Sequence, residues 1–443
     1  MSREREPAEV LIAPGDGHDD ALTRRALLTG AATAIGAAVV AGVPALAAGQ
    51  KGQASAPATP ASPVPDIPGD PTKVPGAPTS ALGTRSRFVD ARRTPTGDIT
   101  GSSLTPHQNL TGSITPADLH FEVHHAGVPL IDPARHTLLI HGLVERPTTF
   151  SIDDIKRFPQ VTRVHFLECS GNGGRAWRGG TFGGPNPGLT PQFVAGLTSN
   201  TEWTGVPLRV LFEEVGPKRE ATWFLAEGSD ACLLARSIPT EKARDDALVV
   251  WAQNGEPLRP EQGFPMRLLL PGWEGNTNIK WLRRLELGTR PWMTRWETST
   301  YTDPLANGTA RQFSFVMDAK SIITAPAHPD TIARGWNPIS GLAWTGRGKI
   351  SRVEISTDAG RTWHDATLQD PVLSKAHTRF TDMWNWDGRE TILLSRATDE
   401  TGYVQPTRAE LVRVRGVGTR YHWNPIYGWN VKPNGRVFFH GAT

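Results

Sequence analysis

The part of the chain after Thr302 carries the pattern that most narrows the possible folds. Apolar and polar residues alternate there in short runs separated by turn sequences such as Asp358-Ala359-Gly360. Strands at regular spacing without intervening helices are typical of a β-sandwich of the immunoglobulin type. We therefore predict a sandwich after a domain boundary near residue 305, with its strands in the runs 311–326, 349–368, 391–407 and 409–418.

The preceding part of the chain mixes strands with short helices. Strands are predicted at 136–144 and 162–169 from their apolar runs. Helices are predicted at 151–159, where Ser151 stands in a capping position, and at 206–216, where apolar residues recur at helical spacing. This order is not a regular βαβ repeat, so the fold class of the chain is predicted to be α+β.

The N-terminal residues 1–47 have the composition of an export signal. Arg24 and Arg25 precede an Ala/Gly-rich run that ends in a small-residue cleavage site at Ala47. A twin-arginine pair before a mildly apolar run predicts a Tat signal peptide. The alternative is a retained membrane anchor at 26–48, but so many Ala and Gly residues make a poor span.

Export places the protein in the periplasm, or at the cell wall in an organism with a single membrane. We expect no stable membrane insertion after cleavage of the signal. Because the Tat route carries folded proteins, this prediction also suggests that a cofactor is loaded before export. Residues 48–100 follow as a Pro/Ala-rich linker that cannot bury enough apolar surface to fold.

Charge excludes some classes of partner. The formal net charge of +3 and the 21% share of charged residues are too balanced to predict a nucleic-acid-binding protein or an anionic membrane surface as the target.

Cys169 is the first candidate functional residue. It ends a predicted strand and is followed by Ser-Gly-Asn-Gly-Gly, a run that lets the backbone approach a ligand closely. A cysteine in this place is either a small core residue, half of a disulfide with Cys232, or a thiolate ligand for a soft metal. It is a poor candidate nucleophile because the local motif contains no His. The chain has no Cys-x-x-Cys-His motif for a covalently attached haem.

Two further segments contain candidate binding residues. In 261–287, Arg267 precedes the glycine-rich turn Pro-Gly-Trp-Glu-Gly-Asn, which leads to Lys280. Fixed cations beside such a turn suit a phosphate or a pterin edge, although a solvated basic surface has the same composition. His124 and His125 are adjacent, so on a strand at most one of them faces a site.

Taken together, these segments resemble the sulfite oxidase family of molybdopterin enzymes over roughly residues 100–430. The resemblance rests on the strand-Cys-x-Gly-Asn motif, on "GFPMRLLLPG" followed by "KWL", and on the final sandwich, all in family order. Within that family, segments such as "TARQFSFVMDAKSIIT" and "KAHTRF" are most similar to the SoxC-type molybdenum subunit of sulfane dehydrogenase. The resemblance implies a molybdopterin-binding oxidoreductase domain at 101–304 and an immunoglobulin-like dimerisation domain at 305–430.

The resemblance also implies a cofactor and its ligands. The cofactor is molybdenum held by one molybdopterin, with the Cys169 thiolate as the protein's metal ligand. The residues expected to bind the cofactor, carried over by position, are His125, Cys169, Asp230, Gln262, Arg267, Asn278, Ile279 and Lys280.

Three further residues are expected at the substrate. Trp203, Tyr301 and Arg347 occupy the positions of the family's pocket residues, although by residue type alone each would be a structural aromatic or a surface charge. Two positions depart from the family, where arginines are usual: Val123 precedes His125 by two residues, and Gly174 follows Cys169 by five. Fewer cations weaken the binding of a small dianion such as sulfite.

The function that the resemblance implies is the oxidation of a reduced sulfur compound, either protein-bound sulfane or sulfite, with water as the oxygen source. A separate c-type cytochrome is the expected electron acceptor, and a sulfur-carrier protein is a further candidate partner. A homodimer or heteromer is expected. The alternatives are a plain sulfite dehydrogenase and an inactive subunit that only recognises a sulfur carrier.

Overall fold

The computed structural model describes residues 11–12, 69–179, 186–305 and 307–443. The chain divides into two compact units, one of Gly15–Val89 and one of Met1–Pro14 with Asp90–Thr443. The described part of the first unit contains a single 3₁₀ turn, Pro71–Lys73. The predicted signal peptide, its alternative as an anchor, and the start of the linker fall outside the described residues, except for Leu11–Ile12.

The second unit begins with a mixed part that contains two five-stranded sheets and a smaller one. One large sheet has a single parallel pair, Thr137–Gly142 with Leu282–Gly288, flanked by antiparallel strands. The strands of this sheet, in spatial order, are Ala235–Pro239, Trp223–Gly228, Leu282–Gly288, Thr137–Gly142 and Thr148–Ser151. The other large sheet comprises Glu256–Pro257, Leu248–Gln253, Thr198–Pro207 and Val161–Glu168, with Arg267–Leu269 paired to Leu248–Gln253.

Two small sheets complete this part of the fold. Strands Thr94–Gly97, Gly101–Leu104 and Glu122–His124 form an antiparallel sheet whose last strand leads directly to His125. A second group of two-residue strands consists of Leu11–Ile12, Ala310–Arg311 and Asp303–Pro304.

The C-terminal part consists of two antiparallel sheets that share one core. The first contains Lys320–Ala325, Gly335–Trp344, Thr378–Trp386 and Thr367–Leu368. The second contains His364–Asp365, Ile350–Ser356, Thr391–Asp399, Tyr427–Val431 and Val437–Ala442. Buried Ile339 and Phe380 of the first sheet lie in the same apolar cluster as Ile355 and Trp429 of the second. The predicted β-sandwich is therefore confirmed.

The helices are short, and the one predicted at 151–159 begins at its predicted cap, although it ends earlier than predicted, at Ile155. Ser151 and Asp154 form a capping box at the start of one helix, and Gly216, in the left-handed region, ends another. The α-helices of the described residues are Ile152–Ile155, Gly174–Gly179, Pro191–Ala195, Leu208–Val215, Thr240–Asp245 and Arg408–Arg415. The remaining turns are the 3₁₀ segments His107–Asn109, Ala117–Leu119, Pro260–Gln262 and Gly275–Thr277, and the π-helical turn Trp296–Thr300.

One predicted strand is wrong. The run 409–418 contains the helix Arg408–Arg415 instead, because Thr407 and Glu410 form a capping box that starts a helix inside an otherwise alternating sequence. None of the helices among the described residues is long and apolar enough to cross a membrane.

Candidate active site

The site forms where two of the segments singled out in the sequence meet. Strand Val161–Glu168 ends at Cys169, and Glu168 forms a parallel bridge with Glu274 of the glycine-rich turn. A Cβ atom on Gly275 would lie 2.9 Å from the Glu168 carbonyl oxygen and 3.2 Å from the Cys169 Cα. Glycine is required at 275 because the turn packs directly against the Cys169 backbone.

A pocket opens beside this junction. Most of the residues expected at the cofactor or substrate line it: His125, Cys169, Gln262, Arg267, Asn278, Lys280 and Tyr301. They come from separate segments of the mixed part of the fold, so the chain brings distant residues to one place. The wall is completed by Phe121, Glu122, Val123, Leu234, Gly275 and Asn276.

Both cysteines are free, so the disulfide alternative is excluded. Burial raises the pKa of the Cys169 thiol to about 11, and the nearby carboxylates of Glu168 and Glu274 act in the same direction. A thiol of this kind is a poor nucleophile near neutral pH and needs a bound cation to become a thiolate. The Cys232 thiol has a different partner: its Sγ donates a hydrogen bond to Asp230 Oδ2 at 2.9 Å.

Arg267 is a buried cation whose partners are all neutral. Its Nη1 donates to the Gln262 carbonyl at 2.9 Å and its Nη2 to the Asn278 carbonyl at 3.0 Å, while its Nε has no hydrogen-bond partner. Burial lowers the pKa of Arg267 to about 9. No carboxylate of the described residues forms an ion pair with it, so the guanidinium lies in the wall with its charge uncompensated.

Lys280 has a similar environment. Its Nζ lies 2.9 Å from the Val123 carbonyl, 3.0 Å from the Glu261 carbonyl and 2.9 Å from His124 Nδ1. Burial lowers its pKa to about 7, and the charge of Arg267 adds to this effect. Of the two adjacent histidines, only His125 lines the pocket, as expected for neighbours on a strand.

His125 and Tyr301 form a pair across the pocket. The Tyr301 hydroxyl lies 2.8 Å from His125 Nε2, and the His125 ring packs on Trp296 with 4.8 Å between ring centroids. Burial lowers the pKa of His125 and raises the pKa of Tyr301 well above its ordinary value. A neutral imidazole facing a protonated phenol fits a hydrogen bond donated by Tyr301.

Two of the expected cofactor residues do not line the pocket. Ile279 is buried in the core, its carbonyl accepts from Leu268 N at 2.8 Å, and its N–H donates to the Thr277 carbonyl. Asp230 is also buried, and its carboxylate already accepts from Leu234 N and from the Cys232 thiol. Both residues lie near the pocket wall, but their polar groups already form hydrogen bonds within the protein.

Trp203 and Arg347 are placed differently from the expectation. Trp203 is fully buried in an apolar cluster with Phe121, its Nε1 donates to the His165 carbonyl, and its ring lies 5.3 Å from the Arg267 guanidinium. Trp203 therefore packs against Arg267 without lining the pocket itself. Arg347 does not line the pocket because its Nη2 donates to Asp318 Oδ1 at 2.9 Å.

The two positions that lack the family's arginines have different surroundings, and only Gly174 has a steric reason for its residue type. Val123 lines the pocket, and its carbonyl is one of the acceptors of Lys280. At Gly174, a Cβ atom would lie 2.5 Å from the Trp423 ring, so a side chain there would displace Trp423. Arg175 is exposed and lies over the Phe193 ring instead of entering the pocket.

Sequence reasoning missed a buried group of charges beneath Tyr301, which we call the ionic layer: Arg236, Glu274 and Glu297. Arg236 Nη2 lies 3.2 Å from Glu274 Oε1, and its Nε lies 3.6 Å from Glu297 Oε1. The Arg236 guanidinium also lies 5.3 Å from the Tyr301 ring centroid. Glu274 could have been noticed, since it belongs to the glycine-rich turn, but nothing in the sequence around Arg236 distinguishes it.

The wall residues fit the cofactor that the resemblance implies. A free thiol gives a soft metal its ligand, and two buried cations without an ion pair, one of them with an unpartnered Nε, suit an anionic dithiolene and phosphate. Among the described residues no cluster of three or more His, Cys, Asp or Glu side chains could hold a metal ion alone. The thiol with an organic cofactor is therefore the arrangement that this chemistry supports.

Comparison with known protein families gives two matches. A family model described as an oxidoreductase molybdopterin binding domain matches residues 125–296. A second, described as a Mo-co oxidoreductase dimerisation domain, matches residues 311–428. The two matches fall on the mixed part and on the sandwich, and they cover Cys169, Arg267 and Lys280.

Individual relatives agree with these matches. The chain is 31% identical to a NADH nitrate reductase of Solanum lycopersicum over 67% of its length, and 28% identical to mitochondrial sulfite oxidase of Rattus norvegicus over 70%. It spans 36% of that nitrate reductase and 61% of that sulfite oxidase.

Among solved structures, the sulfane dehydrogenase SoxCD of Paracoccus pantotrophus matches with a TM-score of 0.79 and 41% identity. The match covers 83% of this chain and 96% of that one. The chain therefore belongs to the sulfite oxidase family of enzymes, which bind molybdenum through molybdopterin.

Proposed function

We propose that this protein oxidises a reduced sulfur compound, with protein-bound sulfane as its substrate. The observation that carries the sulfur assignment is the 41% identity to a sulfane dehydrogenase over 83% of the chain. The pocket supports the chemistry, since it combines one free thiol with two buried cations, neither of which is ion-paired to a carboxylate of the described residues.

Different residues of the pocket wall would bind different parts of the cofactor. Cys169 would ligate the molybdenum, and Arg267 and Lys280 would neutralise the dithiolene and the phosphate, with Gln262 and Asn278 fixing the Arg267 guanidinium through their carbonyl oxygens. When bound, the molybdenum cofactor supplies two-electron oxidation coupled to the transfer of an oxygen atom that comes from water. The apolar neighbours Phe121 and Leu234 exclude water from this side of the pocket.

Tyr301 would donate a hydrogen bond to the substrate, and His125 would orient its hydroxyl. Burial keeps the pKa of Tyr301 well above its ordinary value, so its hydroxyl stays protonated and can donate a hydrogen bond to a substrate oxygen. The same O–H donates to His125 Nε2 at 2.8 Å, so His125 fixes the orientation of the hydroxyl until a substrate takes its hydrogen bond. This pair replaces a cation at the substrate with a neutral donor, which suits a substrate of low charge.

The charge of the pocket favours sulfane over sulfite. The only Arg and Lys among the lining residues are Arg267 and Lys280, and Gly174 is closed to a larger side chain by Trp423. A small dianion would find little compensation for its lost hydration once the cofactor has taken both cations. Plain sulfite dehydrogenation remains the second candidate, because a mitochondrial sulfite oxidase is among the relatives.

We further propose that the protein is exported by the Tat route, as the twin arginines indicate, and acts outside the cytoplasm. A c-type cytochrome would accept the electrons, and a sulfur-carrier protein would present the substrate. The dimerisation domain matched at 311–428 supports an oligomer, and the similarity to SoxCD supports a heteromer.

The decisive experiment begins with protein from a host that makes the cofactor. Molybdenum and pterin should each be present at about one per chain, and Cys169→Ser should lose most of both. Cytochrome c reduction is then measured with sulfite and with a thiosulfate-loaded carrier protein. Faster turnover of the loaded carrier supports the proposal, whereas faster turnover of sulfite selects the second candidate. A wild-type protein without molybdenum overturns the enzyme assignment.

A further inference from the structure

A fully buried carboxylate lies next to the proposed metal ligand in sequence. Glu168, the residue before Cys169, is 0% exposed and accepts three hydrogen bonds. Its donors are Lys320 Nζ at 2.5 Å, Trp344 Nε1 at 2.7 Å and Asn172 Nδ2 at 2.8 Å. A buried carboxylate with three donors, one of them charged, is fully satisfied.

The donors come from two places in the fold. Lys320 begins the strand Lys320–Ala325 and Trp344 ends the strand Gly335–Trp344, so both belong to one sheet of the sandwich. Asn172 belongs to the loop after Cys169. Glu168 therefore links the sandwich to the segment that carries the metal ligand.

Asn172 connects Glu168 to the loop after Cys169 through hydrogen bonds. Its backbone N–H donates to the Cys169 carbonyl at 2.8 Å, and its side-chain oxygen accepts from Leu197 N at 3.1 Å. With its amide nitrogen on Glu168, Asn172 is held on three sides. A shift of the Glu168 carboxylate would therefore move Asn172 and, through it, the backbone of Cys169.

The two charges also act on Cys169 through space. Burial is the main cause of the raised pKa of the Cys169 thiol, but the charge of Glu168 raises this pKa further and the charge of Lys320 lowers it. The two partners therefore act on the thiol in opposite directions, with the effect of Glu168 larger than that of Lys320. If either partner were neutral, the other charge would act alone in a low-dielectric region.

We propose that Lys320 is a positioning residue for the metal ligand: paired with Glu168, it holds the Cys169 loop and opposes the field of the carboxylate at the metal. The sandwich would then set the electronic properties of the redox centre in addition to joining subunits. This inference rests on the proposed binding of molybdenum by Cys169.

The pair is poorly explained by stability alone. Two buried charges must both lose their hydration, and a well-packed apolar pair of similar volume is often as stable. Lys320 is 2% exposed and Glu168 0%, so the full desolvation applies to both. A role at the adjacent ligand gives a reason for charges at these positions.

The test uses a double-mutant cycle in the cofactor-loaded enzyme: Lys320→Met, Glu168→Gln and the double variant. The matched control is Lys375→Met, because Lys375 Nζ contacts Asp246 Oδ2 at 2.7 Å and neither residue is among the charges that act on Cys169. For each variant we would measure the molybdenum content, the reduction potential and electron paramagnetic resonance signature of the metal, and the melting temperature.

We expect Lys320→Met to lower the reduction potential, because the remaining carboxylate stabilises the more positive oxidised metal. Glu168→Gln should raise the potential, and the double variant should return it close to the wild-type value. Lys375→Met should leave both potential and signature unchanged.

Two results would overturn the inference. If both single variants melt at lower temperature but keep the wild-type potential and signature, the pair is only structural. If wild-type protein from a competent host holds no molybdenum, both this inference and the proposed function fail together, which separates that outcome from the first.

Discussion

The pocket and the ionic layer each contain a buried arginine, and the two arginines have opposite surroundings. Arg267 in the pocket wall is 3% exposed and is bonded only to carbonyl oxygens. Arg236 in the ionic layer is 0% exposed and lies between the carboxylates of Glu274 and Glu297. Depth of burial therefore does not distinguish a binding residue from a structural one.

The difference lies in where the compensating charge comes from. A buried cation without an anion is unfavourable, so a protein keeps one only where something outside the chain supplies the negative charge. Arg236 finds that charge in ion pairs within the fold. Arg267 has no such partner, and Lys280 feels the carboxylates of the fold only from a distance. We infer that these two cations without ion pairs mark the place of the anionic cofactor, and that removing each kind of arginine should have opposite consequences.

The largest effect is expected for Arg236→Met. This change removes the arginine partner of two buried carboxylates, Glu297 and Glu274, and leaves Glu274 with only His422 at 3.4 Å. It should reduce the free energy of unfolding by about 3–5 kcal/mol. Urea denaturation of the cofactor-free protein measures it. A loss below about 1 kcal/mol would mean that the two carboxylates are stabilised by other groups, and the contrast with the pocket would fail.

Arg267→Met should behave in the opposite way. In the cofactor-free protein it removes an uncompensated charge, so the free energy of unfolding should stay the same or rise slightly. Cofactor retention should fall about 10- to 100-fold, the value of one charge-assisted hydrogen bond of about 1.5–3 kcal/mol. Molybdenum and pterin analysis after dialysis, beside urea denaturation, gives both numbers. A strongly destabilised cofactor-free variant would show that Arg267 is structural.

Lys280 provides a test by pH. Its pKa falls from 10.5 to about 7 on folding, so between these values the unfolded chain binds more protons than the folded one. The free energy of unfolding of the cofactor-free protein should therefore rise with pH above about 7, by up to about 1.4 kcal/mol per pH unit. Lys280→Met should remove this part of the slope.

Other groups titrate in the same range, so the comparison must be made against the wild type. Lys242, whose pKa burial lowers to about 8, contributes equally to both proteins and cancels in the difference. Loading the cofactor should also flatten the wild-type slope, since an anion beside Lys280 restores its pKa. Identical slopes in the wild type and Lys280→Met would contradict the lowered pKa of a buried lysine without an ion pair.

The sequence predicts most of the fold because its signals are local. Caps such as Ser151 and Gly216 define helix ends through bonds to their own neighbours, and alternation in 349–368 and 391–407 defines strands of the sandwich. The run 409–418 shows the limit of this approach. Its alternation resembles a strand, but the capping box of Thr407 and Glu410 is the stronger local feature.

The site is less predictable because its determinants are not local. The motifs make Cys169, Arg267 and Lys280 candidates, and only the order of several such motifs along the chain, which resembles that of a known family, raises them above a core cysteine and a solvated basic surface. They cannot identify Lys320, which reaches Glu168 across 152 positions of the sequence. Whether an arginine is compensated likewise depends on partners that only the folded chain brings together.

Arg347 gives the smallest and most discriminating prediction. The resemblance places it at the substrate, but it pairs with Asp318 in the manner of the ionic layer, with a side chain that is 25% exposed. If this pairing is its role, Arg347→Met should lower the free energy of unfolding by up to about 1 kcal/mol, as for a partly exposed ion pair. The KM for the sulfur substrate should then stay within about twofold of the wild type, a change smaller than one hydrogen bond is worth. Steady-state kinetics and thermal unfolding together distinguish a structural ion pair from a substrate-binding residue. A tenfold rise in KM at unchanged stability would show that Arg347 binds the substrate.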